Sequence, residues 1–388
     1  MALADRAEDM MSAVRGELLS PNITKEAPSF NATQLANMCE VDRNVISYRL
    51  SKDDDSLPKG KINESGNRRE FSLDEVLVWI REYRKSYLKP AGADAIAIAI
   101  ANFKGGVGKT TTTMTLGQGL SLKGHRVLVI DCDPQASLTT LFGVLPATEV
   151  AAEDTILSVC LGTEQSIAPA IRSSYWPGID IVAAAPILFA AEFSLPSRQK
   201  DDPSFEFWNV LNVALDAVRD EYDVILLDTP PSLSYVTINS IMAADGILMP
   251  LPPNALAAAS ATQFWRLFSD LTGDLVERRG VTKEFDFVRV LLTQVKMRGG
   301  LKSGAAVDDT VLAIKDWIAK TYGSKVLPVE IPETKAAEDS AANFGTVYDV
   351  AARDAIDPRT YKRALSAYEQ VADHMEALIR ASWARRRQ

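Results

Sequence analysis

The sequence predicts a mainly parallel, doubly wound α/β sheet preceded by a small helical domain carrying a two-stranded wing. Three observations lead there. Seven apolar, strand-length runs, at 95–101, 126–130, 179–183, 224–227, 246–249, 288–292 and 325–327, are mostly separated by helical stretches. Strands that are apolar on both faces belong in a sheet covered by helices on both sides. The first run passes directly into a glycine-rich loop, and the composition breaks at Lys89, Pro90, Ala91, Gly92 and Ala93, where we place a linker between residues 29–89 and 94–388.

The elements before that linker follow from local chemistry. In residues 1–28, Met11, Val14 and Leu18 sit at helical spacing ahead of Pro21, which reads as a short amphipathic helix over 2–19 that packs on a partner subunit or on the next domain. Stretches 31–38 and 43–50 read as two short helices, with Asp42 placed to cap the second. Segment 59–71 alternates around Ser65, Gly66 and Asn67 as a two-stranded wing would, and Ser72 with Glu75 forms a capping box that opens a helix over 73–88. Glu40 occupies the tight turn between the first two helices, where glycine is common.

Composition excludes several classes. With 388 residues and 47% hydrophobic side chains the chain can fill more than one core, unlike a disordered protein. The first twenty residues mix Asp, Arg and Glu with short apolar runs, so no secretory leader is expected, and no stretch reaches the roughly 18 apolar residues of a membrane span. Cys39, Cys132 and Cys160 are far apart, and His125 and His374 are the only histidines, which leaves neither a disulfide framework nor a zinc site. The net charge of -9 repels phosphate at long range, so contact with nucleic acid must come from local basic patches.

Three motifs carry chemistry. Lys104, Gly105, Gly106, Val107, Gly108, Lys109, Thr110 and Thr111 follow the first strand and open a helix, the context of a phosphate-binding loop. Glycines let consecutive amides turn onto phosphate oxygens, and the helix N-terminus adds partial positive charge. Lys109 is placed for the β- and γ-phosphates and the Thr110 hydroxyl for Mg2+. A full Walker pattern needs a glycine further upstream, so the loop is a variant, with the ammonium of Lys104 close to the phosphates. Segment 127–135 is an apolar strand ending in Asp131 and Asp133, whose spacing of two sends both to one side, while Cys132 faces the core. Segment 222–232 is an apolar strand closing on Asp228. Acids at such strand tips suit a Mg2+ shell and an attacking water. No Asn-Lys-x-Asp guanine motif occurs, so we expect adenine, with ATP hydrolysis by water as the reaction.

Residues 104–110 resemble the deviant Walker A motif of the ParA/MinD family of ATPases, 127–135 its A-prime motif and 222–232 its Walker B segment. The resemblance implies that Lys104 reaches across a homodimer to the partner's nucleotide, that Asp133 orients the attacking water, and that Asp131 and Asp228 support Mg2+ beside Thr110. ATP and ADP with Mg2+ are the implied cofactors. The base would be held near Thr293 and Gln294 and in the segment after Pro328. Residues 29–88 look like a MerR-type winged helix-turn-helix, an extension carried by segregation ATPases of the larger ParA class. Arg43, Asn44 and Ser47 would then face base edges, and Arg49, Lys61, Arg68 and Arg69 would grip phosphates. Residues 41–90 hold 11 basic against 9 acidic side chains, so charge alone does not decide this. A sequence-independent DNA surface is expected at Lys296, Arg298 and Lys302, among Gly299, Gly300 and Gly304, and at Lys335.

The expectation is a cytoplasmic, nucleoid-associated partition ATPase that binds operator and nonspecific DNA. A ParB-like centromere-binding protein would trigger its hydrolysis. Two alternatives compete: an ATP-tuned repressor without a transport role, and a MinD-like ATPase acting at membranes. For the latter, Leu365, Tyr368, Ala372, Met375 and Ile379 form an apolar stripe ahead of Trp383 and the basic Arg385, Arg386 and Arg387, which reads either as a lipid-binding helix or as a helix packed on the sheet.

Overall fold

The computed structural model describes residues 25–52, 56–63, 66, 68–280, 282–296, 309–333, 345–349 and 358–387, with Arg6, Met10 and Ala13. The helix expected over 2–19 lies outside the described residues apart from those last three.

Strands β1 (Phe30–Asn31), β2 (Lys61–Ile62) and β3 (Arg69–Phe71) form a small antiparallel sheet in the order β1-β3-β2. Helix Ala32–Met38 is started by Asn31, whose side chain accepts the amides of Thr33 and Gln34 while Gln34 returns a bond to the Asn31 amide. Helix Arg43–Ser51 is capped by Asp42 as expected. Between them Glu40 takes φ +57°, the left-handed conformation that the missing glycine would have adopted freely. Its carboxylate is held 3.0 Å from Arg84 Nε, which offsets that cost. The helix from Leu73 stops at Tyr83, short of the expected Leu88. Arg84 leaves helical geometry and turns its guanidinium into the second domain, and only a 3-10 turn, Lys85–Tyr87, follows.

The second domain is an eight-stranded sheet. Its strands are β4 (Ile96–Ile100), β5 (Val127–Asp131), β6 (Arg172–Ser173), β7 (Ile179–Val182), β8 (Val224–Asp228), β9 (Gly246–Leu251), β10 (Phe287–Val295) and β11 (Val326–Pro332), in the order β11-β10-β9-β4-β8-β5-β7-β6. All pairs are parallel except the β6–β7 edge. All seven strands expected from sequence are present. Alternation sorts the two faces of β4. Ile96, Ile98 and Ile100 join a core with helices Lys109–Ser121 and Pro358–Arg386, and the small Ala95, Ala97 and Ala99 join the opposite core with helices Tyr235–Ala243 and Ala255–Arg279.

The C-terminal apolar stripe is consumed by this packing. Tyr368, Ala372, Met375, Ile379 and Trp383 are buried, and the Trp383 indole donates to the Asp94 carbonyl at 3.0 Å. Arg386 pairs with Asp245 and Asp286, and Arg385 reaches the Asp286 carbonyl. Packing on the sheet side of this helix covers the stripe, and among the described residues no helix is long and apolar enough to cross a membrane.

The two domains are joined by more than a linker. Lys89, expected in a free connection, donates to the carbonyls of Arg219, Asp220 and Tyr222. Arg84, 2% exposed, makes two bonds to Glu376 at 3.1 and 2.8 Å and one to the Lys123 carbonyl at 2.6 Å. His125 completes the cluster, with Nε2 2.9 Å from Glu376 and Nδ1 3.8 Å from Asp223. Lys25, before the first strand, makes a second tie: it pairs with Asp349 at 3.0 Å and lies 4.2 Å from the Tyr175 ring centroid.

Burial by itself raises the Glu376 carboxyl, but hydrogen bonds from His125 and Arg84 and the charges of Arg84 and Lys123 outweigh it and hold the group at about 2. An acid depressed on folding stabilises above its unfolded pKa and loses that contribution as pH falls. His125 behaves oppositely. Burial lowers it, its bond to Glu376 and the nearby Asp223 carboxylate outweigh that, and its raised value contributes in acid and is lost as pH rises. Below about pH 5 histidine is protonated in either state, so the depressed carboxyls of Glu376 and Asp223 set the acid limb of this cluster. We therefore expect stability to fall by up to about 3 kcal/mol between pH 5 and 2 through Glu376, with a shallower fall in Glu376→Gln, read from urea unfolding across pH. Arg84→Met, which takes two hydrogen bonds from the buried Glu376 carboxylate and leaves it His125 and Lys123, is expected to cost about 3 kcal/mol at pH 7.

Candidate nucleotide site

Register builds the site. β8 lies between β4 and β5, with Ile100 level with Asp228 and Asp228 level with Asp131. Parallel strands therefore deliver both acids to one edge, the edge at which β4 releases its glycine-rich loop. The Thr229 hydroxyl bonds the Ile100 carbonyl at 2.9 Å, and Asn102, 1% exposed, donates to the Pro250 carbonyl at 2.9 Å while accepting the Lys104 amide at 3.0 Å. The start of the loop is thus anchored on the strands to either side.

Within the loop Gly106 and Gly108 have φ +71° and +89°, so these two positions need glycine. The helix begins at Lys109 itself. The Lys109 ammonium is 3.1 Å from the Lys104 carbonyl; burial lowers its pKa, against the pull of Asp228 and Asp133. The ammonium of Lys104 lies 3.3 Å from Asn254 Oδ1, the residue that also accepts the Ala257 amide at the start of helix Ala255–Arg279. Gly105 is exposed and Val107 buried beneath the loop.

The acids differ in surroundings. Asp131 is fully buried, with Oδ2 accepting the Thr139 amide and hydroxyl at 2.9 and 2.7 Å and Oδ1 accepting the Asp133 amide at 3.1 Å. Asp228, also buried, accepts the Thr113 hydroxyl at 3.2 Å and a bond from Thr110. Burial raises both carboxyls, Asp131 to about 7 and Asp228 to about 8, the latter also through the charge of Asp131. Asp133 is half-buried, its Oδ1 taken by the Gln135 amide at 2.9 Å. Among the described residues no group of three or more His, Cys, Asp or Glu could hold a metal ion. Thr110 with two buried, charge-starved carboxylates fits an ion whose shell is completed by phosphate oxygens and water, the habit of Mg2+.

The sequence-predicted residues 104–111, Asp131, Asp133 and Asp228 therefore converge. Asn102, Thr113, Thr139 and Asn254 were missed, since single Asn and Thr residues carry no spacing signal. Thr293 and Gln294, expected near a base, bond the Val107 and Gly106 carbonyls at 2.9 and 2.8 Å. In the first domain Arg43, Asn44, Ser47, Lys61 and Arg68 are exposed. Arg49 is half-buried, and Arg69 turns back onto the Lys59 carbonyl, which braces the wing. Lys296 is exposed at the end of β10, and Arg298, Lys302 and Lys335 lie outside the described residues.

Fold and site together define a phosphate-loop nucleotide-binding α/β protein. The family model for an AAA domain matches residues 95–278. The chain is 31% identical over 293 residues to Protein SopA of Escherichia coli K12, covering 74% of this chain and 71% of SopA. It is 32% identical over 250 residues to the chromosome partitioning protein ParA of Caulobacter vibrioides, covering 64% and 84%. A solved structure of a partition protein shares the fold over 97% of both chains with TM-score 0.67 and 19% identity. Cobyrinic acid a,c-diamide synthase from Mycobacterium smegmatis, solved with an ATP analog and magnesium, covers 72% of this chain and 94% of its own, with TM-score 0.52 and 27% identity. The chain belongs to the ParA-type partition ATPases.

A site that crowds buried carboxylates carries strain that a nucleotide-free protein must bear. Asp228→Asn is expected to raise the thermal midpoint of the nucleotide-free protein by a few degrees while reducing Mg2+-supported hydrolysis at least tenfold, as measured by calorimetry and phosphate release.

Proposed function

We propose that the chain hydrolyses ATP to switch a homodimer on and off DNA during replicon partition, and that residues 29–88 bind operator DNA for autorepression. The observation that carries this reading is the convergence of Lys104, Lys109, Thr110, Asp131, Asp133 and Asp228 at one sheet edge around an anchored glycine loop. The SopA and ParA relatives support the partition role, and the magnesium and ATP analog of the Mycobacterium neighbour support the cofactors.

In this reading Lys109 and the loop amides hold the phosphates, and Thr110, with Asp131 and Asp228 behind it, holds Mg2+. That ion, when bound there, would offset phosphate charge. Asp133 presents its second carboxylate oxygen to the attacking water. Its first is occupied by Gln135, which fixes the orientation. Lys104 leaves Asn254 to reach the partner subunit's nucleotide, so hydrolysis and dimer closure share one cation. Exposed Ile187, Phe189 and Phe193, which follow β7, and Leu256, two residues beyond Asn254, leave apolar surface at this edge for a second copy.

DNA binding would be twofold. The outward face of helix Arg43–Ser51, bearing Arg43, Asn44 and Ser47, reads operator bases, with Arg49, Lys61, Arg68 and Arg69 at the backbone. Lys296 and the basic residues Arg298, Lys302 and Lys335 serve nonspecific DNA on the closed dimer. A ParB-like partner then stimulates hydrolysis, and the dimer releases DNA.

Variants test each part. Asp133→Ala is expected to retain ATP and DNA binding and lose about 100-fold or more in phosphate release, and a wild-type rate would remove the water-orienting role. Lys109→Gln should lose nucleotide affinity, and Lys104→Gln should lose ATP-dependent dimerisation. Nonspecific DNA affinity is expected to fall steeply with salt in ATP and only weakly in ADP or without nucleotide. Equal slopes in all three conditions would exclude an ATP-controlled DNA switch.

A further inference from the structure

We propose that Thr293 and Gln294 brace the phosphate loop, fixing which way its peptide groups point, and so act as positioning residues for the triphosphate. The proposal rests on the nucleotide-site reading above and assigns these two residues a role in place of contact with the base.

Three observations meet at one point. The pairing of β10 with β9 is regular from Phe287 to Leu292, but its pairing with β11 slips between Leu292 and Val295. Inside that slip Gln294 has φ +53°, a left-handed conformation that a non-glycine residue holds only where its surroundings impose it. The two side chains at the slip both bond the loop: the Thr293 hydroxyl donates to the Val107 carbonyl at 2.9 Å, and the Gln294 amide donates to the Gly106 carbonyl at 2.8 Å.

In an unbroken strand, successive side chains point to opposite faces and could not both reach one loop. The irregularity is what brings them together, as bulges beside functional sites do when they re-aim a side chain. The consequence for the loop comes from peptide geometry. In a planar trans peptide the carbonyl and the following N–H point in opposite directions. Drawing the Gly106 and Val107 carbonyls out towards β10 therefore aims the Val107 and Gly108 amides the other way, into the hollow of the loop where phosphate oxygens are to be held. A Cβ added at Gly108 would stand 4.0 Å from the Thr293 methyl, so Thr293 lies beside the same peptide whose carbonyl it holds.

The test uses the full chain. Thr293→Val keeps shape and removes the donor, Thr293→Ser keeps the donor, and Gln294→Met keeps length and removes the amide. Affinities for ATP and for inorganic tripolyphosphate, which has no base, are measured by competition against a fluorescent ATP analogue, alongside the nucleotide-free thermal midpoint. Thr293→Val and Gln294→Met are each expected to weaken ATP and tripolyphosphate by the same factor, roughly twofold to tenfold, with Thr293→Ser near wild type and midpoints unchanged. Loss for ATP with tripolyphosphate unaffected would assign the pair to the base and overturn the brace. Wild-type affinities in both variants, with Lys109→Gln still defective, would overturn the brace and leave the site reading intact. Failure of the wild-type chain to bind either ligand would instead defeat the site reading itself. Gln294 is exposed, so Gln294→Met carries the test should Thr293→Val fold poorly.

Discussion

The site depends on one constraint, the parallel register that sets Ile100, Asp228 and Asp131 level on three adjacent strands. Parallel strands end together, so whatever follows them accumulates on one edge. Here that edge receives a glycine loop from β4, an acid from β8 and a pair of acids from β5. A slip of a single residue in β8 would turn Asp228 to the opposite face and move the buried Val224, Ile225, Leu226 and Leu227 out of their cores, so core packing and site chemistry are held by the same register.

Charge at this edge is deliberately unbalanced. Asp131 and Asp228 are buried beside each other and pushed up by desolvation, while Lys109 is pushed down by it. Hydrogen bonds from Thr139, Thr113 and Thr110 relieve part of the cost without supplying a full positive charge. This imbalance is what the proposed nucleotide with its Mg2+ would relieve.

The opposite ends of the same elements are where the small domain docks. Helix Lys109–Ser121 leaves the phosphate loop and ends next to Lys123, Gly124 and His125, which lead into β5 and so to Asp131 and Asp133. Arg84 takes the Lys123 carbonyl, Arg81 takes the Gly124 carbonyl at 3.0 Å, and His125 shares Glu376 with Arg84. Glu40, in the turn before helix Arg43–Ser51, is bonded to the same arginine. Hydrogen bonds thus tie the turn of the first domain to the far end of the helix and the near end of the strand that bear the nucleotide site.

Much of this was legible in the amino-acid order. The seven strands, the loop, the strand-tip acids and the capped helices are written in patterns spanning a few residues: apolar runs, glycine spacing, Asp42 and Ser72 before helices, an acid at the ends of β5 and β8. Local patterns record local backbone preference, and these preferences agree with the final fold. What only the tertiary structure decided are contacts between residues far apart in the chain: Arg84 with Glu376, Lys25 with Asp349, Lys104 with Asn254, and the bonds of Thr293 and Gln294 to the loop. The fate of the C-terminal stripe was decided there too, since an apolar helix face reads the same whether lipid or a sheet covers it. Single polar residues carry no periodicity, and their partners are set by strand order, register and a local slip in β10, which exist only once the chain has folded.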